Sequence, residues 1–329
     1  MKQRIQWLDI VKGFLILTVM LGHISQTPEW LKIWIYSFHM PLFFFLSGVT
    51  FSIEKYDFKT FIKRKIRTLI VPGLVFEFIQ IIINVAMGKL QLTVKNIILG
   101  IILQMRGQGT DIAWFLVALF ISEIVLYLVI KLLQDKTKKI VPVLFLSAII
   151  NFLYLRIAVN FLSVVVLPYS MDLVFLILPF IYAGYLYKNN RLKVNENKLF
   201  ILLYIIMGNS LCFISFKILG YHFDLDLDKI GSFTLYYLTA FAQISWLLIL
   251  FKKIKKAKVL SFIGKNSMVF YVWHTIVFSI FDEITRGKIE KEYAIIGLKM
   301  ITSIIVLTIL TGVVNKYFQF VLGRKKEIK

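Results

Sequence analysis

Long apolar runs are the feature that most restricts how this chain can fold. Ten runs of roughly 17–25 predominantly apolar residues follow one another along the 329-residue sequence. Their approximate centres are Leu17, Phe43, Phe78, Phe120, Ala148, Ile177, Ile206, Phe241, Val272 and Val306. Because a soluble protein could not hide a content of 59% hydrophobic residues, we predict an all-α polytopic membrane protein. We expect about ten transmembrane helices in a single domain, residues 1–329.

The basic residues indicate topology. The net charge is +21, but Lys and Arg occur in short clusters between apolar runs, which argues against a nucleic-acid partner and for a lipid bilayer. With both termini cytoplasmic, the inner segments hold 27 Lys and Arg residues and the outer segments hold 10. This asymmetry predicts an even number of spans with both ends on the cytoplasmic side.

Two ionisable residues lie inside the first apolar run. Lys12 and His23 are eleven residues apart, so a helix places them on one face with a rise of about 16 Å between them. Ionisable groups at membrane depth are costly and are therefore candidates for function. His23 can be a hydrated interfacial residue or a general base, because imidazole exchanges a proton near neutral pH. Lys12 can extend toward the interface, or Asp9 can hold its ammonium group.

A second histidine and a basic cluster follow. His39 lies in a run interrupted by Pro41, and it fits either a cavity wall or helix packing. The sequence Lys63-Arg64-Lys65-Ile66-Arg67 fits a topology signal that contacts anionic lipid, or a phosphate site. On a helix Arg64 and Arg67 present two guanidinium groups on one side, a geometry suited to a pyrophosphate or a 3′-phosphate.

Other polar or aromatic residues interrupt later runs. Glu123 lies deepest and needs a partner inside its span. The remaining candidates also fit interfacial anchors, and they are Asp111, Trp114, Asp172, Tyr271 and His274. The single cysteine excludes an intramolecular disulfide framework. We find no metal-ligand spacing, so we expect neither a metal nor a permanently bound cofactor.

Three stretches resemble the membrane acyltransferase-3 family, and most closely its fucose 4-O-acetylase-like branch. They read Asp9-Ile10-Val11-Lys12-Gly13 with Leu21-Gly22-His23, then Phe38-His39-Met40-Pro41-Leu42-Phe43-Phe44-Phe45-Leu46-Ser47-Gly48, then Lys63-Arg64 with Arg67 and Pro72. Trp114-Phe115-Leu116 and Tyr271-Val272-Trp273-His274 follow in the family's order. The family usually has arginine where this chain has Lys12, which keeps the charge but loses bidentate geometry.

The resemblance implies a multi-pass protein of the bacterial cytoplasmic membrane, with ten spans and acetyl-CoA as cytoplasmic co-substrate. The acceptor it implies is a hydroxyl of an extracytoplasmic surface glycan or of its lipid-linked precursor. We predict that His23 deprotonates this hydroxyl or forms an acyl-histidine, that Lys12 stabilises charge or fixes the donor, and that Arg64, Arg67 and Lys63 bind CoA phosphates. Asp9, His39, Asp111, Trp114, Glu123, Asp172, Tyr271 and His274 are supporting candidates. A proton-coupled transporter or flippase for a lipid-linked sugar is the alternative, and the sequence does not indicate the oligomeric state.

Overall fold

The computed structural model describes residues 5–88, 90–91, 93–96, 98, 114–157, 167–220, 223–224, 229–289, 291–319 and 321–323. The first part of the chain forms α1 (Gln6–Gly22), α2 (Glu29–Tyr36), α3 (His39–Thr50), α4 (Phe58–Lys65), a π-helical turn (Ile66–Ile70), α5 (Val71–Ala86) and a single turn α6 (Val94–Asn96). The central part forms α7 (Trp114–Leu132), α8 (Thr137–Ile157), a 3₁₀ segment (Pro168–Leu173) and α9 (Val174–Lys188). The last part forms α10 (Lys198–Lys217), α11 (Phe233–Lys253), α12 (Lys258–Lys265), α13 (Ser267–Thr285) and α14 (Glu292–Tyr317). Two short antiparallel strands, β1 (Phe223–Asp224) and β2 (Lys229–Ile230), lie between α10 and α11.

The prediction of an all-α polytopic membrane protein is confirmed. Within the described residues, nine helical segments have the length and composition to cross a membrane. The tenth predicted run, centred on Leu17, corresponds to α1, which has 17 residues. The cytoplasmic location of the termini stays a prediction.

The helices divide into two compact units. Unit 1 comprises Met1–Phe43 and Lys193–Tyr317, and unit 2 comprises Phe44–Leu192 and Phe318–Lys329. The core of unit 1 joins α1, α12, α13 and α14 through Ile16, Val19, Met20, Ile24, Ile263, Phe270, Val277, Phe278 and Leu307. This core lies between the helices that carry His23 and His274.

Glycine allows a close contact between α1 and α12 in unit 1. A Cβ atom on Gly13 would collide with the carbonyl oxygen of Leu260, and one on Gly264 would collide with the carbonyl oxygen of Asp9. Small residues let helix backbones approach this closely. The residue pairs also show that α12 runs antiparallel to α1, because the earlier residue of α1 lies opposite the later residue of α12.

The chain then reverses at Asn266. The Asn266 amide nitrogen Nδ2 donates to the Phe262 carbonyl at 2.9 Å, and its Oδ1 accepts a hydrogen bond from Asn315 at 3.0 Å. The reversal sends α13 back along α1, where Phe270 and Val277 pack in the core described above. This arrangement brings His274 to the carboxyl end of α1.

Unit 2 uses the same kind of contact between α3 and α9. A Cβ on Gly48 would collide with the Ile181 carbonyl oxygen, and one on Gly184 would collide with the Phe45 carbonyl oxygen. On the other side of α3, the hydroxyl of Ser47 is directed toward Glu123 of α7. The close α3–α9 contact therefore helps to define where a polar α3 side chain meets α7.

The second apolar run is interrupted earlier in the chain than at Pro41, the position predicted from the sequence. Helix α2 ends at Tyr36, and α3 begins at His39, so Pro41 lies in the first turn of α3. Proline is tolerated there because the first-turn N–H groups of a helix have no intrahelical acceptor. The division lies at Ser37 and Phe38, and His39 begins α3.

We predict that Gly264→Ala destabilises the protein by about 1–3 kcal/mol, because the added methyl group overpacks a backbone contact with Asp9. The matched control is Gly297→Ala in α14, where no atom lies within 4 Å of the added Cβ. Thermal unfolding in detergent, followed by circular dichroism, should show a lower midpoint only for Gly264→Ala. Equal midpoints for the two variants would contradict the close contact.

Candidate functional site

His23 caps the carboxyl end of α1. Its backbone N–H donates to the carbonyl oxygens of Val19 at 3.1 Å and Met20 at 3.2 Å, so the helical geometry continues through it. As a residue His23 is exposed, whereas Met20 and Gly22 before it are buried. The side chain therefore projects from the end of a buried helix.

His274 is the partner of His23. It lies on α13 and is 1% exposed. Its Nε2 is 2.7 Å from Nδ1 of His23, and the two ring planes are 13° apart with their centroids separated by 5.0 Å, so the rings meet edge to edge and nearly in one plane. On its other side, Nδ1 of His274 is 2.6 Å from the carbonyl oxygen of Tyr271 and 3.2 Å from that of Phe270.

The carbonyl contacts determine the tautomers. A carbonyl oxygen only accepts, so Nδ1 of His274 carries a hydrogen and donates it. In a neutral His274 ring, Nε2 is then an acceptor, and Nδ1 of His23 must donate to it. The remaining nitrogen of His23, Nε2, has a lone pair that can accept a proton. We call the chain Tyr271 carbonyl–His274–His23 the histidine relay.

Aromatic and polar groups surround the histidine relay. The Phe278 ring meets the His274 ring edge to face at 5.5 Å. The Tyr36 hydroxyl donates to the Gly22 carbonyl at 3.2 Å, which ties α2 to the end of α1 that bears His23. His39 is buried, its Nδ1 donates to the Ile35 carbonyl at 2.9 Å, and its ring is 5.2 Å from that of Tyr36.

The other predicted residues of α1 lie at its opposite end. Asp9 is buried where Gly264 approaches its carbonyl, and Lys12 is half-buried one turn further along. Their ion pair stays a prediction. The helix is continuous, so the predicted rise of about 16 Å between Lys12 and His23 holds in the structure.

In unit 2 the predicted need of Glu123 for a partner is met by two residues. Glu123 is fully buried on α7, and its Oε2 forms an ion pair with Lys65 Nζ at 2.5 Å. The Ser47 hydroxyl donates to Glu123 Oε1 at 2.6 Å. The sequence did not indicate Lys65 and Ser47 as the partners of Glu123, although Ser47 lies in the stretch Phe38–Gly48 and Lys65 lies in the basic cluster Lys63–Arg67.

The predicted phosphate-binding residues occupy an exposed surface of unit 2. Lys63, Arg64 and Arg67 are exposed, and the Arg64 guanidinium lies over the Tyr56 ring at 4.4 Å. A hydrogen bond with Lys55 and then the charge of Arg64 lower the pKa of the Tyr56 phenol. Arg64 belongs to α4, whereas Arg67 belongs to the π-helical turn, so the predicted regular α-helical spacing between them is interrupted.

Trp114 and Asp172 have their described contacts within unit 2. Trp114 is buried at the start of α7, with its ring 6.2 Å from that of Phe115. Asp172 is buried in the 3₁₀ segment, where its Oδ1 accepts from the Leu167 N–H at 2.9 Å and its carbonyl accepts from Asn151 at 2.6 Å. These contacts give Asp172 a role in holding its own turn. Asp111 lies outside the described residues.

One comparison with known proteins identifies a family. The family described as an acyltransferase domain, Acyl_transf_3, matches residues 5–314, which is nearly the whole chain. No curated protein and no solved structure gives a significant match.

The ion pair of Lys65 and Glu123 predicts unequal effects of removing its two partners. Lys65→Ala leaves a fully buried, unpaired carboxylate and should cost about 3–5 kcal/mol, whereas Glu123→Gln keeps an acceptor for Ser47 and leaves a lysine that can reach water. Thermal unfolding in detergent should therefore show a lower midpoint for Lys65→Ala. Adding Glu123→Gln to Lys65→Ala should recover much of the loss. An additive loss in the double variant would contradict the pairing.

Proposed function

The chain belongs to the membrane acyltransferase-3 family, and from that premise we propose that it is an O-acetyltransferase of the bacterial cytoplasmic membrane. The proposed donor is acetyl-CoA, and the proposed acceptor is a hydroxyl of an extracytoplasmic surface glycan or its lipid-linked precursor. The resemblance of the three motif stretches to the family's sugar-modifying branch supports this choice of donor and acceptor.

The histidine relay is the observation that carries the mechanism. Acyl transfer to a hydroxyl needs a general base, because the neutral hydroxyl is a weak nucleophile. The relay leaves Nε2 of His23 available at an exposed position, and His274 fixes the ring through Nδ1. An orienting hydrogen bond on one nitrogen of a catalytic imidazole is how a base is held in its working tautomer.

The proposed reaction balances in two proton transfers. Nε2 of His23 takes the acceptor hydroxyl proton while the oxygen attacks the thioester carbonyl carbon. A C–O bond forms, the C–S bond breaks, and CoA leaves as a thiolate that receives the proton from His23. While His23 is an imidazolium, its Nδ1–H bond to His274 strengthens, since hydrogen bonds to charged groups are the stronger ones.

The charged residues have proposed supporting roles. Arg64, Arg67 and Lys63 supply exposed cations for the CoA phosphates. Lys12 lies on the same helix as His23 and stabilises charge on the donor arm. Tyr271 contributes its main-chain carbonyl, and His274 is a positioning residue.

We expect His23→Ala to lower acetyl transfer by about 10²–10⁴-fold, the usual contribution of a general base.

His274→Phe should lower kcat by about tenfold or more at unchanged donor affinity. The substitution removes one hydrogen bond to a charged imidazole, which is worth about 1.5–3 kcal/mol. His274→Gln, which retains an acceptor, should recover part of this loss. The measurement is transfer from labelled acetyl-CoA by purified protein, over a range of pH.

The same assay separates the alternatives. A general base leaves no label on the protein when the acceptor is omitted, whereas an acyl-histidine leaves label that disappears in His23→Ala. If His274→Phe changes neither kcat nor the pH profile, His274 has only a packing role. A correctly folded His23→Ala variant with full activity would exclude the mechanism, and substrate movement without release of CoA thiol would indicate the transporter.

A second test concerns the donor. The double variant Arg64→Ala with Arg67→Ala should weaken CoA binding by about tenfold or more, because it removes two charge-assisted contacts to phosphate. Lys59→Ala is the control, since Lys59 is an exposed cation of the same helix outside the proposed set. Isothermal titration with CoA measures the affinities. Equal affinities for both variants would remove the arginines from the donor site.

A further inference from the structure

An apolar groove lies in unit 1 between α2 and the carboxyl-terminal half of α10. Its volume is about 560 Å³, and four of the nine residues that line it are aromatic. The rings are those of Trp30 and Trp34 on α2 and of Phe213 and Phe216 on α10. Volumes of this order are typical of sites for small ligands.

The polar side chains Asn209 and Cys212, which line the groove, have partners of their own within α2 and α10. Trp34 Nε1 donates to Asn209 Oδ1 at 2.8 Å, and Asn209 Nδ2 donates to the Ile205 carbonyl at 2.7 Å. The Cys212 thiol points to the Ile33 carbonyl at 3.9 Å. The groove therefore presents a hydrocarbon and aromatic surface to its occupant.

A cation lies at one end of the groove. Lys217 is the last residue of α10 and is exposed, and its ammonium group lies over the Phe216 ring at 4.8 Å. Among the described residues, no carboxylate forms an ion pair with Lys217. An apolar groove with a cation at its end is complementary to a lipid whose chain carries a phosphate.

The groove adjoins the histidine relay through α2. The opposite wall of α2 is tied to the end of α1: Tyr36 donates to the Gly22 carbonyl, and Lys32 Nζ donates to the Ser25 carbonyl at 3.1 Å. His23 lies between these two carbonyl groups in the chain. A lipid held in the groove with its phosphate at Lys217 has its head group at the end of unit 1 that carries His23.

We propose that the groove binds the isoprenoid chain of a polyisoprenyl phosphate, the lipid carrier of the glycan acceptor, and that Lys217 pairs with its phosphate. A single groove of this volume takes one chain, whereas a phospholipid brings two. The identification of the lipid as the acceptor's carrier rests on the proposed function. The binding itself does not require acyl transfer.

The test uses the whole protein in phosphatidylcholine nanodiscs with a long-chain polyisoprenyl phosphate as the probe. Native mass spectrometry counts bound probe for the wild type, Lys217→Glu, Lys217→Arg and Phe213→Ala. Lys217→Glu should bind about tenfold more weakly, because the charge-assisted contact is replaced by repulsion. Lys217→Arg should bind like the wild type, and Phe213→Ala should bind less, since Phe213 is an exposed part of the groove wall.

Lys288→Glu is the matched control, because Lys288 is an exposed lysine in the turn after α13 and does not line the groove. Equal binding by Lys217→Glu and Lys288→Glu would overturn the proposal. Equal binding of the corresponding polyisoprenol, or of phosphatidylglycerol, would also overturn it, because either result means that the groove does not select an isoprenoid phosphate. Acetyl transfer to a soluble oligosaccharide, measured in parallel, separates a failure of the groove from a failure of the enzyme.

Discussion

The backbone contact between α1 and α12 is the constraint on which the candidate site depends. Gly13 and Gly264 each face a carbonyl oxygen of the opposite helix, so the two backbones approach more closely than any side chain permits. The reversal at Asn266 then returns α13 along α1. In consequence, His23 and His274, which are 251 residues apart in sequence, come within hydrogen-bond distance.

The buried position of His274 is compatible with its chemistry because both of its ring nitrogens have partners. A buried polar group without a partner costs about 1–3 kcal/mol. His274 avoids this cost by donating to main-chain carbonyl groups of its own helix and accepting from His23. The hydrogen bonds that permit burial of His274 also fix its tautomer. Stability and proton transfer therefore require the same two hydrogen bonds of this residue.

The sequence predicts the helical membrane architecture well, because long apolar runs leave few other folds. It also singles out His23 as a candidate, since an ionisable group at the end of an apolar run has few structural explanations, and the role of His23 stays a prediction. It does not predict which residues meet. Lys65 rather than a neighbouring cation pairs with Glu123, because the pairing depends on how α4 packs against α7. Likewise, nothing local indicates that Ile66–Ile70 forms a π-helical turn between Arg64 and Arg67.

The histidine relay ends at the main-chain carbonyl of Tyr271 rather than at a carboxylate side chain. A peptide oxygen does not ionise in the physiological range, and it is present whatever side chain occupies the position. The far end of the relay therefore has no titration of its own and cannot be deleted by a point substitution that preserves the helix. Replacing the side chain of Tyr271 therefore leaves in place the oxygen that orients His274.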